Sequence, residues 1–263
     1  MLSRDGYELE FEDDFDGAEL DRGRWLPYYL PHWSSRESAA ARYAIAGGCL
    51  RLRIDADQEP WCPEFDDGVR VSSLQTGLFA GPVGSEVGQH RFSSEAVVRE
   101  AQENVRLYTP HHGIVEVRAK AIDDPGSMVA LWMIGYEDAA ERSAEICVCE
   151  IFGRDVEDGR AAVGMGVHPF GDPAIRDEFA AEPIAIDARE FHVYAAEWTT
   201  ERVSFFVDDE HVKTVEQSPA YPFQLMLSLY EFPADGGDPQ PTGDYPKEFV
   251  VDYVRGYRRS EPA

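Results

Sequence analysis

The amino-acid sequence predicts an all-β protein, a sandwich of two antiparallel curved sheets, and three observations point there. Apolar and polar residues alternate with a period of two in several segments, the mark of half-buried strands. Loops rich in Gly and Pro separate those segments. Helical periodicity is thin, and aromatic residues make up 12% of the chain, a composition that suits strands and stacking platforms.

In chain order, Leu50, Leu52 and Ile54 alternate with Arg51, Arg53 and Asp55, and Val115, Val117 and Ala119 alternate with Glu116, Arg118 and Lys120. Val203 to Val207 and His211 to Val215 flank the acidic turn Asp208-Asp209-Glu210 and form a hairpin. Phe249 to Val254 supplies a further strand. Gly81 to Gly84, Asp123 to Gly126 and the long Pro233 to Gly243 read as loops, and loops of the last length carry function or disorder. Asp172 is placed to cap a short turn at Pro173, and Ser35 to Ala41 reads as a short helix. With no repeats and no seam, the 263 residues read as one domain, 1–263.

Fifty acidic residues against 24 basic ones give a formal charge of -26, a field that repels polyanions. Nucleic acid and sulfated glycans are therefore poor partners, although the same acidity also serves solubility or salt tolerance. The longest apolar run, Met128 to Ile134, is too short to span a bilayer. The first residues, Met1 to Glu8, lack the apolar centre of a leader, so the chain reads as cytoplasmic as written, or secreted if a leader was removed. No membrane partner is expected, and the chain is expected to be a monomer. Cys49, Cys62, Cys147 and Cys149 have neither finger spacing nor the density of a disulfide scaffold, and they read as free thiols. Cys147 and Cys149, two apart on one strand face, are alternatively a metal-binding pair.

The chemistry points to Glu145-Ile-Cys-Val-Cys-Glu150. This segment is apolar and β-prone, yet it holds two glutamates, which are seldom buried without a partner or a task. In a regular strand the two acids would face opposite ways. A β-bulge after Cys147 would instead turn Glu145, Cys147 and Glu150 to one cleft. Retaining glycosidases need two carboxyls roughly 5 to 5.5 Å apart, one to attack and one to donate a proton. The bland alternative is a solvent-facing Glu150 on an edge strand.

The strand and its surroundings resemble glycoside hydrolase family 16, the laminarinase, lichenase and agarase group. The resemblance is carried in order by Phe11-Glu-Asp-Asp-Phe-Asp-Gly17 with Trp25, Gly48 to Leu52, Gly113 to Lys120, Ala130-Leu-Trp-Met133 and the glutamate strand. Phe191 to Thr199, Phe205 to Asp209 and Phe249 to Val254 continue it. It implies a concanavalin A-like jelly roll and a retaining hydrolase or transglycosylase acting on a β-linked polysaccharide, a neutral glucan or galactan. The family pattern Glu-x-Asp-x-x-Glu, in the bulged form of the laminarinase branch, makes Glu145 the nucleophile and Glu150 the acid and base. Cys147 stands where the family has an aspartate that tunes the nucleophile. A buried thiol between carboxylates is a weak donor that resists ionisation, so the alternative is a glycan-binding sandwich with an impaired site.

The resemblance places Trp132 in the cleft as a sugar platform, with a core tryptophan as the alternative, and His168 beside Glu150, where it contacts sugar, tunes the proton or is structural. Trp33, Tyr43 and Arg118 are candidate trough residues, although alternation also makes Arg118 a solvated strand residue. Trp198 reads as core. The family's Asn-x-Ala-x-Gly-Gly stretch is replaced by Ser228-Leu-Tyr-Glu-Phe-Pro233, which makes Tyr230 and Glu231 candidate subsites, or leaves a third carboxylate exposed. No cofactor is expected for catalysis. A structural calcium would match Asp14, the carbonyl of Gly48 and Asp252.

Overall fold

A computed structural model describes residues 1–66, 68–233 and 243–260. The outer sheet runs β15 (Glu210–Val215), β14 (Val203–Val207), β13 (His192–Trp198), β7 (Gly113–Lys120), β17 (Lys247–Arg259), β3 (Leu50–Ile54) and β2 (Arg42–Ile45), and β1 (Tyr7–Asp13) also pairs with β17. The inner sheet runs β10 (Val156–Glu157), β11 (Arg160–His168), β9 (Glu145–Phe152), β8 (Ser127–Gly135), β16 (Phe223–Glu231) and β4 (Arg70–Gln75), with β12 (Glu178–Ile184) also on β11. A short ladder of β5 (Gly77–Leu78) and β6 (Val105–Arg106) stands apart from both. Every pairing between these strands is antiparallel, so the all-β sandwich expected from alternation is the fold.

The alternating strands behave as their pattern dictates. Leu50, Leu52, Ile54, Val115, Val117 and Ala119 enter the core between the sheets. Removing one such large aliphatic side chain from water contributes on the order of 1.5–3 kcal/mol. Their polar neighbours point outward, where Arg51 meets Glu248 at 2.8 Å and Arg118 pairs with Asp252. The hairpin of β14 and β15 forms across Asp208 and Asp209, both left-handed, with φ of 49° and 65°. Trp198 lies in the core and donates its indole N–H to Ser218 Oγ at 2.9 Å.

The inner sheet follows a different rule, since β8 and β16 are buried along their whole length. Val129, Leu131 and Met133 face the inter-sheet core, whereas Ala130, Trp132 and Ile134 face a second cluster covered by Tyr29, Trp33 and Trp61. A strand covered on both faces needs no polar alternation, which explains the unbroken run from Met128 to Ile134.

The expected short helix at Ser35 to Ala41 is a turn. Ala39 N–H bonds Ser35 O, but Ala40 then bridges to Tyr28, so sheet-like pairing takes the chain before a helix can propagate. Asp172 caps the short turn at Pro173 as expected, accepting the Ala174 N–H at 2.8 Å in an Asx turn, and it also accepts the Tyr221 hydroxyl at 2.7 Å. The described helical turns are 3-10 segments at Pro31–Trp33 and Gly153–Asp155. No helix of the described residues is long and apolar enough to cross a membrane. The loop from Pro233 to Gly243 lies mostly outside the described residues.

Candidate active site

Strand β9 carries the expected bulge. Leu131 pairs with Cys149 and Trp132 with Cys147, so Val148 has no opposite number on β8. On the other side Gly164 pairs with Glu150 and Gly166 with Cys147, again one residue short. Val148 and Cys149 both turn into the inter-sheet core, which frees Glu145 and Glu150 to face the same cavity. The same bulge parts the two cysteines, sending Cys149 to the core and leaving Cys147 between the acids. All four cysteines are free.

Glycine makes room for this geometry. Gly166 has φ of 148°, and a Cβ there would lie 2.2 Å from the Glu178 carbonyl oxygen. Glu150 is flanked in register by the small residues Ala130 and Gly164. A Cβ on Gly164 would meet the Phe179 ring at 2.5 Å.

The two acids open into a cavity of about 200 Å³. Trp132 and Tyr230 line it, as do Tyr29, Asp66 and His90. Trp132 is oriented by its indole N–H, which donates to Ser228 Oγ at 3.2 Å, and Tyr230 meets Tyr29 edge to face at 5.6 Å. A larger cavity of about 580 Å³ lies on the far side of His90, lined in part by Phe79, Glu137 and Phe170.

His90 is the partner of Glu145, with Nδ1 2.7 Å from Oε1. Its backbone is left-handed, with φ of 51°, and its N–H donates to Glu137 at 2.6 Å. Burial pushes this imidazole pKa down, but the nearby negative charge of Glu145, joined by Glu137 and Asp66, outweighs it and raises the value above normal. Burial also raises Glu150, with a further push from Glu145 that Cys147, His168 and His90 only partly offset. Cys147 is held well above the usual thiol range by burial first and then by the two acids. His168 sits opposite Glu145 in register, and its Nδ1 lies 2.8 Å from Asp177 Oδ2.

Several expected trough residues lie elsewhere. Trp33 is fully buried behind the cleft and donates to the Gln89 carbonyl at 2.8 Å, so its ring offers no face to a ligand. Arg118 belongs to the outer sheet, where it pairs with Asp252 and lies 4.6 Å from the centre of the Phe191 ring. Tyr43 packs against the inter-sheet core from β2 of that sheet. Glu231 points away from the cleft and is neutralised by Arg70 at 2.9 Å and the Tyr245 hydroxyl at 3.0 Å. It is thus neither a subsite nor an exposed carboxylate. The acids proposed for calcium have cationic partners. Asp14 accepts from Arg255 at 2.9 Å, Asp252 is held by Arg118, and Gly48 lies in the turn before β3.

Six residues lining this cavity are not among the expected site residues: Tyr29, Asp66, Val69, His90, Met128 and Phe232. Tyr29, Asp66 and His90 stand on loops that roof the inner sheet, where no periodicity marks them. Asp66 accepts the Trp61 indole N–H at 2.6 Å, and burial raises its pKa.

Comparison with known proteins agrees with this layout. The family described as Glycosyl hydrolases family 16 matches residues 106–254. A beta-glucanase of Rhodothermus marinus is 32% identical over 171 residues, covering 56% of this chain and 57% of its own length. Among solved structures, a GlcNAcα1-4Gal releasing endo-β-galactosidase from Clostridium perfringens is 30% identical, with a TM-score of 0.83 over 98% of this chain and 64% of that one. The laminarinase catalytic domain of Thermotoga maritima has a TM-score of 0.67 at 18% identity over 98% of this chain and all of its own, which speaks for the jelly-roll fold alone. The chain spans about half the length of the first curated relatives it matches, 57% and 53%. The match of residues 106–254, carrying the bulged strand and its cleft, places the chain in glycosyl hydrolase family 16.

Proposed function

We propose that the protein is a retaining glycosidase that cleaves a β-linked polysaccharide by double displacement. The observation that carries this reading is the bulge at Val148, which brings two glutamates to one cavity in an otherwise apolar sheet. Glu145 attacks the anomeric carbon and forms the glycosyl-enzyme, and Glu150 protonates the leaving oxygen and then activates water. A raised Glu150 pKa suits the first duty, since the acid must hold its proton at working pH. His90 is the cationic partner of Glu145, a different device from the aspartate of the family pattern, while Cys147 contributes only its weak hydrogen bond to Glu150. Trp132 and Tyr230 offer ring faces to the sugar.

A neutral glucan or galactan fits the acidic field, and the higher TM-score to an endo-β-galactosidase favours a galactoside. The cavity beyond His90 leaves room for further sugar units. The test pairs a panel of glucans and galactans with a 2-fluoro glycoside that traps the covalent intermediate. Label on Glu145 together with a β-configured first product is expected. An α-configured product, or turnover without any covalent intermediate, would overturn double displacement, and no product across the panel would favour glycan binding without cleavage.

A further inference from the structure

The geometry points to a second ligand of the cleft, a thiophilic divalent cation such as Zn²⁺, bound by Glu145, Cys147 and His168. A carboxylate oxygen, a thiol sulfur and an imidazole nitrogen from these residues lie within 4.8 Å of one another. No other group of three or more such residues is so placed among the described residues. The donor set is mixed S, N and O, which suits zinc and excludes calcium or magnesium. Zinc bonds of about 2.0 to 2.3 Å would draw the three donor atoms closer by roughly 1 Å, leaving a fourth position open to water.

Two further observations mark a built site. His168 is oriented by a carboxylate, with Nδ1 2.8 Å from Asp177 Oδ2, which leaves Nε2 as the ligating nitrogen. This carboxylate–histidine arrangement is the outer shell that metal-binding histidines use. Glu145 is 5% exposed and opens into the cleft cavity, where its carboxylate is already paired with one cationic group, His90 Nδ1 at 2.7 Å from Oε1. Its position beside Cys147 lets the same carboxylate turn to an ion. On binding, Cys147 gives its proton to solvent and ligates as thiolate, and with the Glu145 carboxylate it balances the two positive charges of the ion. An ion held there ties up Glu145 and closes the cleft to sugar. That inhibition rests on the glycosidase reading; the binding itself does not.

The full chain is titrated with Co²⁺ and, separately, with Zn²⁺ against a chromophoric chelator. One ion per chain is expected, with a thiolate-to-cobalt charge-transfer band in the wild type. Cys147→Ser should abolish the band and weaken Zn²⁺ by more than about 100-fold, Asp177→Asn should weaken it about tenfold, and Cys149→Ser should change neither. Absence of the band in the wild type, or its loss in Cys149→Ser instead of Cys147→Ser, overturns the site. In the second arm, hydrolysis is followed with and without saturating Zn²⁺ and then with chelator. Reversible loss supports inhibition, and undiminished hydrolysis at saturating Zn²⁺ overturns it. Binding without hydrolysis under any condition refutes the glycosidase reading while the metal site stands.

Discussion

Glu116 in the outer sheet and Glu145 in the inner sheet are both buried, and they are treated in opposite ways. Glu116 on β7 is 1% exposed, and its carboxylate is met by the Arg4 guanidinium and the Tyr257 hydroxyl. Glu145 on β9 is 5% exposed, and the cation beside it is an imidazole, whose charge depends on pH. A guanidinium stays charged at any physiological pH and meets a carboxylate with several donors, so Glu116 is closed to further chemistry. Glu145 has a single titratable partner and faces a cavity. Burial of an acid therefore does not mark a site; the manner of its neutralisation does.

Substitutions in the two sheets should separate these roles. Glu145→Gln is expected to cut hydrolysis by on the order of 10⁴-fold or more while leaving the melting temperature nearly unchanged at alkaline pH, where His90 carries no charge to be stranded. Arg4→Ala should do the reverse, costing about 3 kcal/mol in denaturant unfolding by stranding Glu116, with kcat untouched. If Arg4→Ala damages turnover as much as stability, the contrast between the sheets fails.

His90→Gln should lower turnover about tenfold by removing the charge that faces Glu145. Its pH dependence has a defined sign. A raised folded pKa means the pair stabilises the fold fully below about pH 6.5 and loses that contribution as pH rises through the folded value. The stability gap between wild type and His90→Gln is therefore largest in mild acid and closes toward alkaline pH. A gap that widens with pH would show that His90 is not the charged partner. The smallest effect is expected for Cys147→Asp, with turnover changing by less than about tenfold. His90 already holds Glu145, and a third carboxylate between two others in a buried site would take up a proton. A much larger gain would show that the thiol impairs the site.

The fold and the acid pair were legible in the sequence for related reasons. Alternation in Leu50 to Ile54 and Val115 to Ala119 reports directly on which face is wet, and a glutamate pair out of phase on an apolar strand is compatible with a bulge, which the family resemblance singled out. The rest required distance. His90 meets Glu145 through a left-handed loop residue far away in the chain, and nothing local announces such a contact. Trp33 and Trp132 look alike as aromatic residues near strands, yet one is sealed behind the cleft and the other lines it. Glu231 was misplaced because its neutralising Arg70 lies on the adjacent strand β4, a pairing invisible along the chain.

The bulge at Val148 also limits how this protein can vary. Because the orientation of Glu150 depends on a count of residues, losing or gaining one between Cys147 and Glu150 would turn the rest of β9 inside out, exchanging core for solvent from Glu150 to Phe152. Side chains there can be swapped, but the length cannot. The roof loops bearing Tyr29, Asp66 and His90 obey no such count. The loops of Tyr29 and Asp66 can be exchanged over a fixed reactive frame, so specificity is free to diverge there, while His90 keeps its own loop tied to the nucleophile.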